Sequence, residues 1–471
     1  MISDVKNSRQ SLYSYFILIL YILFYLFFAL FDGVITGPDS PGYIHMSFTR
    51  EPVYPLLLAF FRLFTEENYL FCTVVFQSCL AAFSGWALSH WLIKHFRISP
   101  PFGLLIFFCP IATSLLCRFA AGRASMFSNS ILSEGITVSL YLLFMLYLFR
   151  FLTENSRRCF YGAAFVSFLL IGTRKQMLVT LLLLCMALLY RHCRRQITLR
   201  SLLTGVAAAL LLTVCILGGF RLLDGTYNYV LRGKFTGHSS SNRFLTTMVF
   251  YNARPGDADY IRDPQIRQLF LAIYDICDEK GSLGSHAGSG WRNEVDHFGN
   301  HYDHIQIDTM WPMILQYAKE TLAGADSTSL DLESDRINRV IIRSILPHQI
   351  PKLLRTLWNN FLSGLAHTVA GNRPALVNYS IFIYAAYLFL TLRLFYTIRR
   401  QPISPQPPLI RDALLVSCWV LLGILGNVGL VSAVIFCQNR YTIYNMPLFY
   451  MAGVILLYCN LLILRHRPGT K

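Results

Sequence analysis

The segment Gly37-Pro38-Asp39-Ser40-Pro41-Gly42-Tyr43, followed by Arg50-Glu51-Pro52-Val53-Tyr54-Pro55, gathers a carboxylate, a phenol and a guanidinium in one short stretch. With Arg50 and Tyr43 to position a substrate, Asp39 can take a proton from a hydroxyl while a cation stabilises an anionic leaving group. The plain alternative is a Pro/Gly turn in which Asp39 merely caps a helix. Three more ionisable features stand where apolar residues would be cheaper. They are Glu134 in Ser130-Ile131-Leu132-Ser133-Glu134-Gly135, Arg174-Lys175 between two short apolar runs, and Arg440-Tyr441 ahead of the last run. An ionised group costs about 2.5 to 3.5 kcal/mol near a bilayer centre, so these read as functional, with interfacial snorkelling the alternative for Arg440.

A separate cluster comprises Asp296, His297, His301, Asp303 and His304 in VDHFGNHYDHIQID. On a helix, His297, His301 and His304 fall at i, i+4 and i+7 on one face, a spacing compatible with metal ligation. Gly299 and Asn300 weaken that helix, and such clusters are more often solvated surface. The expectation is no certain cofactor, with a divalent metal at these histidines left open.

The elements that position these groups follow from composition. The 471 residues are 54% hydrophobic and 14% charged, with mean hydropathy +0.46, against about 25% charged in soluble domains. A soluble multidomain enzyme is excluded. Apolar runs at 12–31, 69–93, 101–116, 131–149, 160–172, 177–190, 202–220, 377–396, 413–436 and 443–464 predict an all-α polytopic membrane protein with about ten crossings.

The net charge of +16 is explained by sidedness. With both termini cytosolic, one set of loop edges holds eighteen bases against Asp4, Glu154 and Asp412, whereas the other side nearly balances. Membrane lipids are the expected surroundings, and no nucleic-acid partner is needed. The runs 160–172 and 177–190 are each short for a span; they form either a hairpin or one kinked helix, and the charge rule favours the hairpin, its Arg174-Lys175 tip near the outer face.

Three regions result: 1–220, a transmembrane part with the first outer loop at 32–64; 221–375, an extracytoplasmic helical loop domain; and 376–471, the C-terminal spans. Residues 53–64 are apolar but too short to cross and predict a helix lying in the interface. Of twelve cysteines only Cys277 falls in the large outer segment, and no CxxC spacing occurs, which excludes a disulfide scaffold there. The first span is long and lacks a convincing small-residue cleavage site before Asp32, so it reads as an anchor rather than a cleaved signal. No GxGxxG phosphate loop is present.

In order, DSPGY, REPVYPLLL, SEG, GTRKQMLVTLLLL, and RY before a span containing Pro447 resemble the GT-C superfamily of polytopic glycosyltransferases. The likeness is to the branch of protein O-mannosyltransferases and lipid A aminoarabinose transferases, families 39 and 83, over about 12–200 and 340–464. It implies a GT-C-like core and transfer of a sugar from a polyprenyl-phosphate donor, usually with inversion, to a glycan, lipid or protein acceptor. It also implies a catalytic or acceptor-positioning role for the Asp of the first outer loop, here Asp39. The family often has Asp-Glu at this point, whereas this chain has Asp39-Ser40, which puts any role of a second acid there in doubt.

The expected enzyme is thus a lipid-linked sugar transferase on the outer face of a bacterial cytoplasmic membrane. Asp39 acts as base, Glu134 orients the cations, Arg174, Lys175 and Arg440 hold phosphate, and Tyr43, Arg50 and Tyr441 assist. A lipid-linked polysaccharide polymerase or ligase is the related alternative, and a lipid-glycan flippase the non-enzymatic one. A flippase should carry charge along a central path, whereas the span centres here are nearly uncharged.

Overall fold

The computed structural model describes residues 2–120, 126–194, 197–239, 241–371, 374–400 and 407–465. Arg195, Arg467 and Lys471, counted above among the cytosolic bases, lie outside them. In chain order the α-helices are α1 (Ile2–Asp32), α2 (Ser40–Ile44), α3 (Val53–Arg62), α4 (Tyr69–His95), α5 (Pro100–Ala120), α6 (Glu134–Glu154), α7 (Arg157–Ile171), α8 (Leu178–Cys193) and α9 (Leu199–Arg232). The segment between α9 and α16, expected from the charge rule to be the outer one, adds α10 (Ser241–Tyr251), α11 (Pro264–Glu279), α12 (Trp291–Ile305), α13 (Trp311–Thr321), α14 (Ser327–Ile345) and α15 (Ile350–Ala370). The chain finishes with α16 (Pro374–Arg400), α17 (Pro407–Ser432), α18 (Asn439–Thr442) and α19 (Asn445–Arg465).

Among the described residues nine helices are long and apolar enough to cross a membrane: α1, α4, α5, α6, α8, α9, α16, α17 and α19. The chain is a multi-pass helical membrane protein. The expected tenth crossing is α7, whose fifteen residues rise only about 22 Å against a hydrocarbon core of about 30 Å. The hairpin reading nevertheless holds. Ser167 Oγ on α7 meets Thr180 Oγ1 on α8 at 2.7 Å, which a continuous helix would place roughly 19 Å apart. Local signals explain the reversal before α7: α6 stops at Asn155 in the left-handed conformation, φ 61°, and Ser156 accepts the Cys159 N–H as N-cap of α7.

The boundary expected at residue 220 falls inside a helix. α9 continues through it to Arg232, where Gly233 at φ 69° terminates it, and a reciprocal Thr198–Ser201 capping box starts it. Residues 53–62 form the short apolar helix α3, as their pattern predicts.

The most enclosed helix is α6, with 78% of its apolar window buried, against 11% for α9 and for α16. Tyr141, Phe144, Met145 and Leu148 of α6 share one apolar cluster with Val420 and Val428 of α17 and Phe449 and Ile455 of α19. Large apolar side chains remain exposed on the outermost spans, among them Leu211 and Val214 of α9 and Phe382 and Phe389 of α16, the surface that lipid would cover. A second cluster, including Phe250, Phe270, Tyr302 and Ile341, is the core of the outer segment.

Helix direction sets which charges share an end. Arg174, at the tip of the α7–α8 hairpin, meets Glu134 at the start of α6, while Arg194 beyond α8 reaches the Leu152 carbonyl near the end of α6. The start of α6, the hairpin tip and the segment before α19 therefore meet at one end of the bundle. Arg150, Arg157 and Arg191 lie at the other.

Candidate active site

The first loop is clamped to the approach of α6. Ile35 pairs with Ser130 in an isolated parallel bridge, its N–H donating to the Asn129 carbonyl at 3.0 Å and its carbonyl accepting the Ile131 N–H at 2.9 Å. Ser40 donates to the Ile131 carbonyl at 2.8 Å and accepts the Gly37 N–H at 2.8 Å. The residue that stands where a second acid was in doubt thus fastens the loop. Tyr43 adds a contact to Ser133 Oγ at 3.0 Å. The hairpin tip docks on the same loop, with the Val53 N–H donating to the Gly172 carbonyl at 3.0 Å.

Held this way, Asp39 occupies the N-cap position of α2 yet makes no side-chain cap hydrogen bond. Its carboxylate faces two arginines instead: Oδ1 accepts from Arg50 Nη2 at 2.9 Å and Oδ2 from Arg440 Nη2 at 2.7 Å. Arg440 also donates through Nε to Glu134. The same Glu134 Oε1 lies 2.6 Å from Arg174 Nη1. The Tyr441 ring packs under both cations, 5.3 Å from the Arg174 guanidinium carbon and 5.8 Å from that of Arg440. Arg50 covers the Tyr43 ring at 4.7 Å.

Two acids therefore face three arginines. Glu134 is fully buried and Asp39 keeps 31% of its side chain exposed, so solvent and substrate reach only the second. Burial works against the charge on Asp39, but Arg440 and Arg50 outweigh it and hold the carboxyl below the usual carboxylate range. Arg50 Nε is buried against Gly42 and has no hydrogen-bond partner.

Of the residues selected from sequence, Asp39, Arg50, Tyr43, Glu134, Arg174, Arg440 and Tyr441 form this one constellation. Tyr43 is buried, 4% exposed, with its hydroxyl on Ser133, so it supports the site from below. Lys175 turns away. Its N–H donates to Glu51 Oε1 at 3.2 Å, and its electrostatic neighbours are Glu51, Asp335 and Asp224.

The histidines lie on α12, which forms across Gly299 and Asn300. His297 contacts the Gly281 carbonyl, His301 the His297 carbonyl, and His304 Asp308. No group of three or more metal-ligating side chains occurs among the described residues.

Sequence reading missed Arg243, on α10 of the outer segment. It lies in the field of Arg50 and Asp39, and burial, then Arg50, lower its hold on its proton while Tyr302, Asp39 and Asp331 oppose them. Its Nε is buried without a partner, and its guanidinium lies 5.3 Å from the Trp311 ring. Asp303 of α12 also senses Asp39. Nothing in the local sequence separates Arg243 from the other charges of a segment rich in both signs, and Asp303 stands out there only as part of the histidine cluster. No protein-family model, no curated protein and no solved structure matches the chain.

Proposed function

We propose that the protein transfers a sugar from a polyprenyl-phosphate donor to a hydroxyl acceptor, at the outer face of a bacterial cytoplasmic membrane. The observation that carries this reading is the Arg50–Asp39–Arg440–Glu134–Arg174 chain, a cation-rich cluster at one end of a bundle of apolar helices. Such a site suits a ligand whose phosphate sits at the membrane surface while its tail stays in lipid. The order of DSPGY, REPVYPLLL, SEG, GTRKQ and RY supports the same reading, as does the gathering of bases such as Arg150, Arg157 and Arg191 at the opposite end.

In this mechanism the donor phosphate competes for Arg440 and Arg50. As they turn to it, Asp39 loses countercharge, and its proton affinity rises toward what a base requires. The acceptor oxygen forms a bond to the anomeric carbon, the bond from that carbon to the phosphate oxygen breaks, and its electron pair leaves with polyprenyl phosphate. The acceptor proton passes to Asp39. Arg174, fixed by Glu134, and Arg440, once turned to the phosphate, hold the growing negative charge. An ionic device here needs no nucleotide domain, because the lipid phosphate is the leaving group.

The test uses the purified protein in nanodiscs with polyprenyl-phosphate-linked hexoses and pentoses. Acceptor-dependent release of polyprenyl phosphate from at least one donor is expected; the absence of release and of binding for every donor would overturn the proposal.

A further inference from the structure

Two polar cavities lie along α12, one within the α10–α15 segment and one between it and the bundle. The outer one, about 360 Å³, lies between the glycine- and serine-rich loop of residues 284–289 and α15. The inner one, about 290 Å³, is bounded by Asp296, Asn300, Ser363, His367, Gln438 and Arg440. They share Val295 and Asn360 as wall residues. The two adjoining cavities, together the trough, have the loop at one end and Arg440, whose guanidinium is bonded to Asp39, at the other. Beyond it on the same helix stands Asp303, the residue that senses Asp39.

The wall chemistry selects an occupant. The charged groups of the outer cavity are already engaged: Glu294 accepts from Arg355 through both carboxylate oxygens and from Asn359 Nδ2 at 2.6 Å, and Lys352 donates to the Asn252 carbonyl at 3.2 Å. Besides Asp296, His367 and Arg440 of the inner cavity, the rest of the polar lining is hydroxyl and amide, including Ser285, Ser289, Asn300 and Gln438, interleaved with the rings of Tyr251, Phe298 and Phe436. At the inner end Asn439 is 4% exposed, and its Oδ1 has no hydrogen-bond partner, an acceptor waiting for a donor. A lipid tail would require apolar walls. A peptide bound by strand addition would require a sheet edge, and no strand is present among the described residues. A polyhydroxylated chain matches both halves of the lining, its hydroxyls on the amides and its C–H faces on the rings.

We infer that this trough binds the acceptor, and that the acceptor is an uncharged glycan of more than one sugar, with its reactive end against Arg440. The direction of the chain in the trough rests on the transferase reading; the binding site does not. The GSLGSHAGSG stretch thereby gains a role as the rim of the entrance.

The test is saturation-transfer NMR on the full-length protein in nanodiscs. The probes are neutral tetrasaccharides of glucose, mannose, galactose and N-acetylglucosamine, their monosaccharides, and a Ser/Thr-rich octapeptide. At least one tetrasaccharide should bind about tenfold more tightly than its monosaccharide. Ser289→Trp and Asn300→Trp, each filling one cavity from an exposed position, should weaken it by a similar factor. The inference is overturned if no tetrasaccharide binds, if both tryptophan variants bind as the parent does, or if only the peptide binds. Tetrasaccharide binding with no transfer from any donor would leave the trough standing and remove the transferase reading; transfer without such binding would do the reverse.

Discussion

Arg440 Nη2 donates to Asp39 Oδ2 at 2.7 Å across 401 positions of sequence, and the same guanidinium reaches Glu134 through Nε. One side chain thus couples the exposed carboxylate to the buried one, so the acids act as a unit and substitutions at either should be strongly non-additive.

Glu134→Gln isolates that coupling. It leaves Arg174 and Arg440 adjacent in a buried setting without their shared counterion, and breaking such a pair typically costs about 3 to 5 kcal/mol. Thermal unfolding in nanodiscs should fall sharply, and adding Arg174→Gln should restore part of the loss. An unchanged melting temperature for the single variant would mean that water supplies the missing charge stabilisation.

Gly42 tests the other arm. A β-carbon there would lie 2.7 Å from Arg50 Nε. Because that is the mobile end of a long side chain, Gly42→Ala should displace the guanidinium from Asp39 rather than unfold the loop. Transfer should drop on the order of 10²-fold with the melting temperature nearly constant. Equal rates would show that the Arg50–Asp39 contact has no part in turnover.

Asp331 on α14 gives a pH signature of opposite sign to that of Asp39. Burial and the neighbouring Asp335 raise its carboxyl to about 6, against the pull of Arg243 and Arg232. With its folded value above its unfolded one, the native state holds the extra proton, so stability declines as pH rises from about 4 to about 6 and stays lower above. Asp331→Asn should raise the melting temperature at pH 7.5 and change it little at pH 4. Asp39, whose value is lowered, contributes stability above about pH 4 that is lost only on further acidification. A melting temperature unaffected by Asp331→Asn at pH 7.5 would contradict the assigned environment.

Orientation is open to labelling. In a cysteine-free background, a cysteine at Ser289 should react with an impermeant maleimide from outside intact cells, and one at His192 should not. Reversed accessibility would invert the proposed sidedness.

Much of this architecture was legible because lipid imposes a coarse rule: apolar length marks a span, and basic flanks mark its sidedness. The rule found the α7–α8 hairpin despite its brevity, because Arg191 and Arg194 needed to lie at the far end from Arg174. It counts α7 as a tenth crossing; at fifteen residues α7 is short for a span, yet it runs from the Arg157 end of the bundle to the Arg174 end. It also placed a boundary inside α9, where hydropathy falls at Arg221 but helical hydrogen bonding continues to Arg232.

At the site, acids and bases set against apolar sequence stood out, and Asp39, Glu134, Arg174 and Arg440 were found for that reason. Arg243 was not, because an arginine among many in a solvated segment carries no local mark of burial. Lys175 adjoins Arg174 in sequence, and its backbone N–H donates to Glu51 of the first loop.

The most direct measurement is single-turnover transfer by Asp39→Asn with a donor that the parent protein uses. Asparagine keeps the shape and one hydrogen-bond acceptor but not the countercharge for the two arginines, so the melting temperature should fall modestly while insertion and donor binding are retained. Proton acceptance is lost, and the chemical step should slow by about 10²- to 10⁴-fold. A chemical step within a few-fold of the parent's would contradict the assignment of Asp39 as the base.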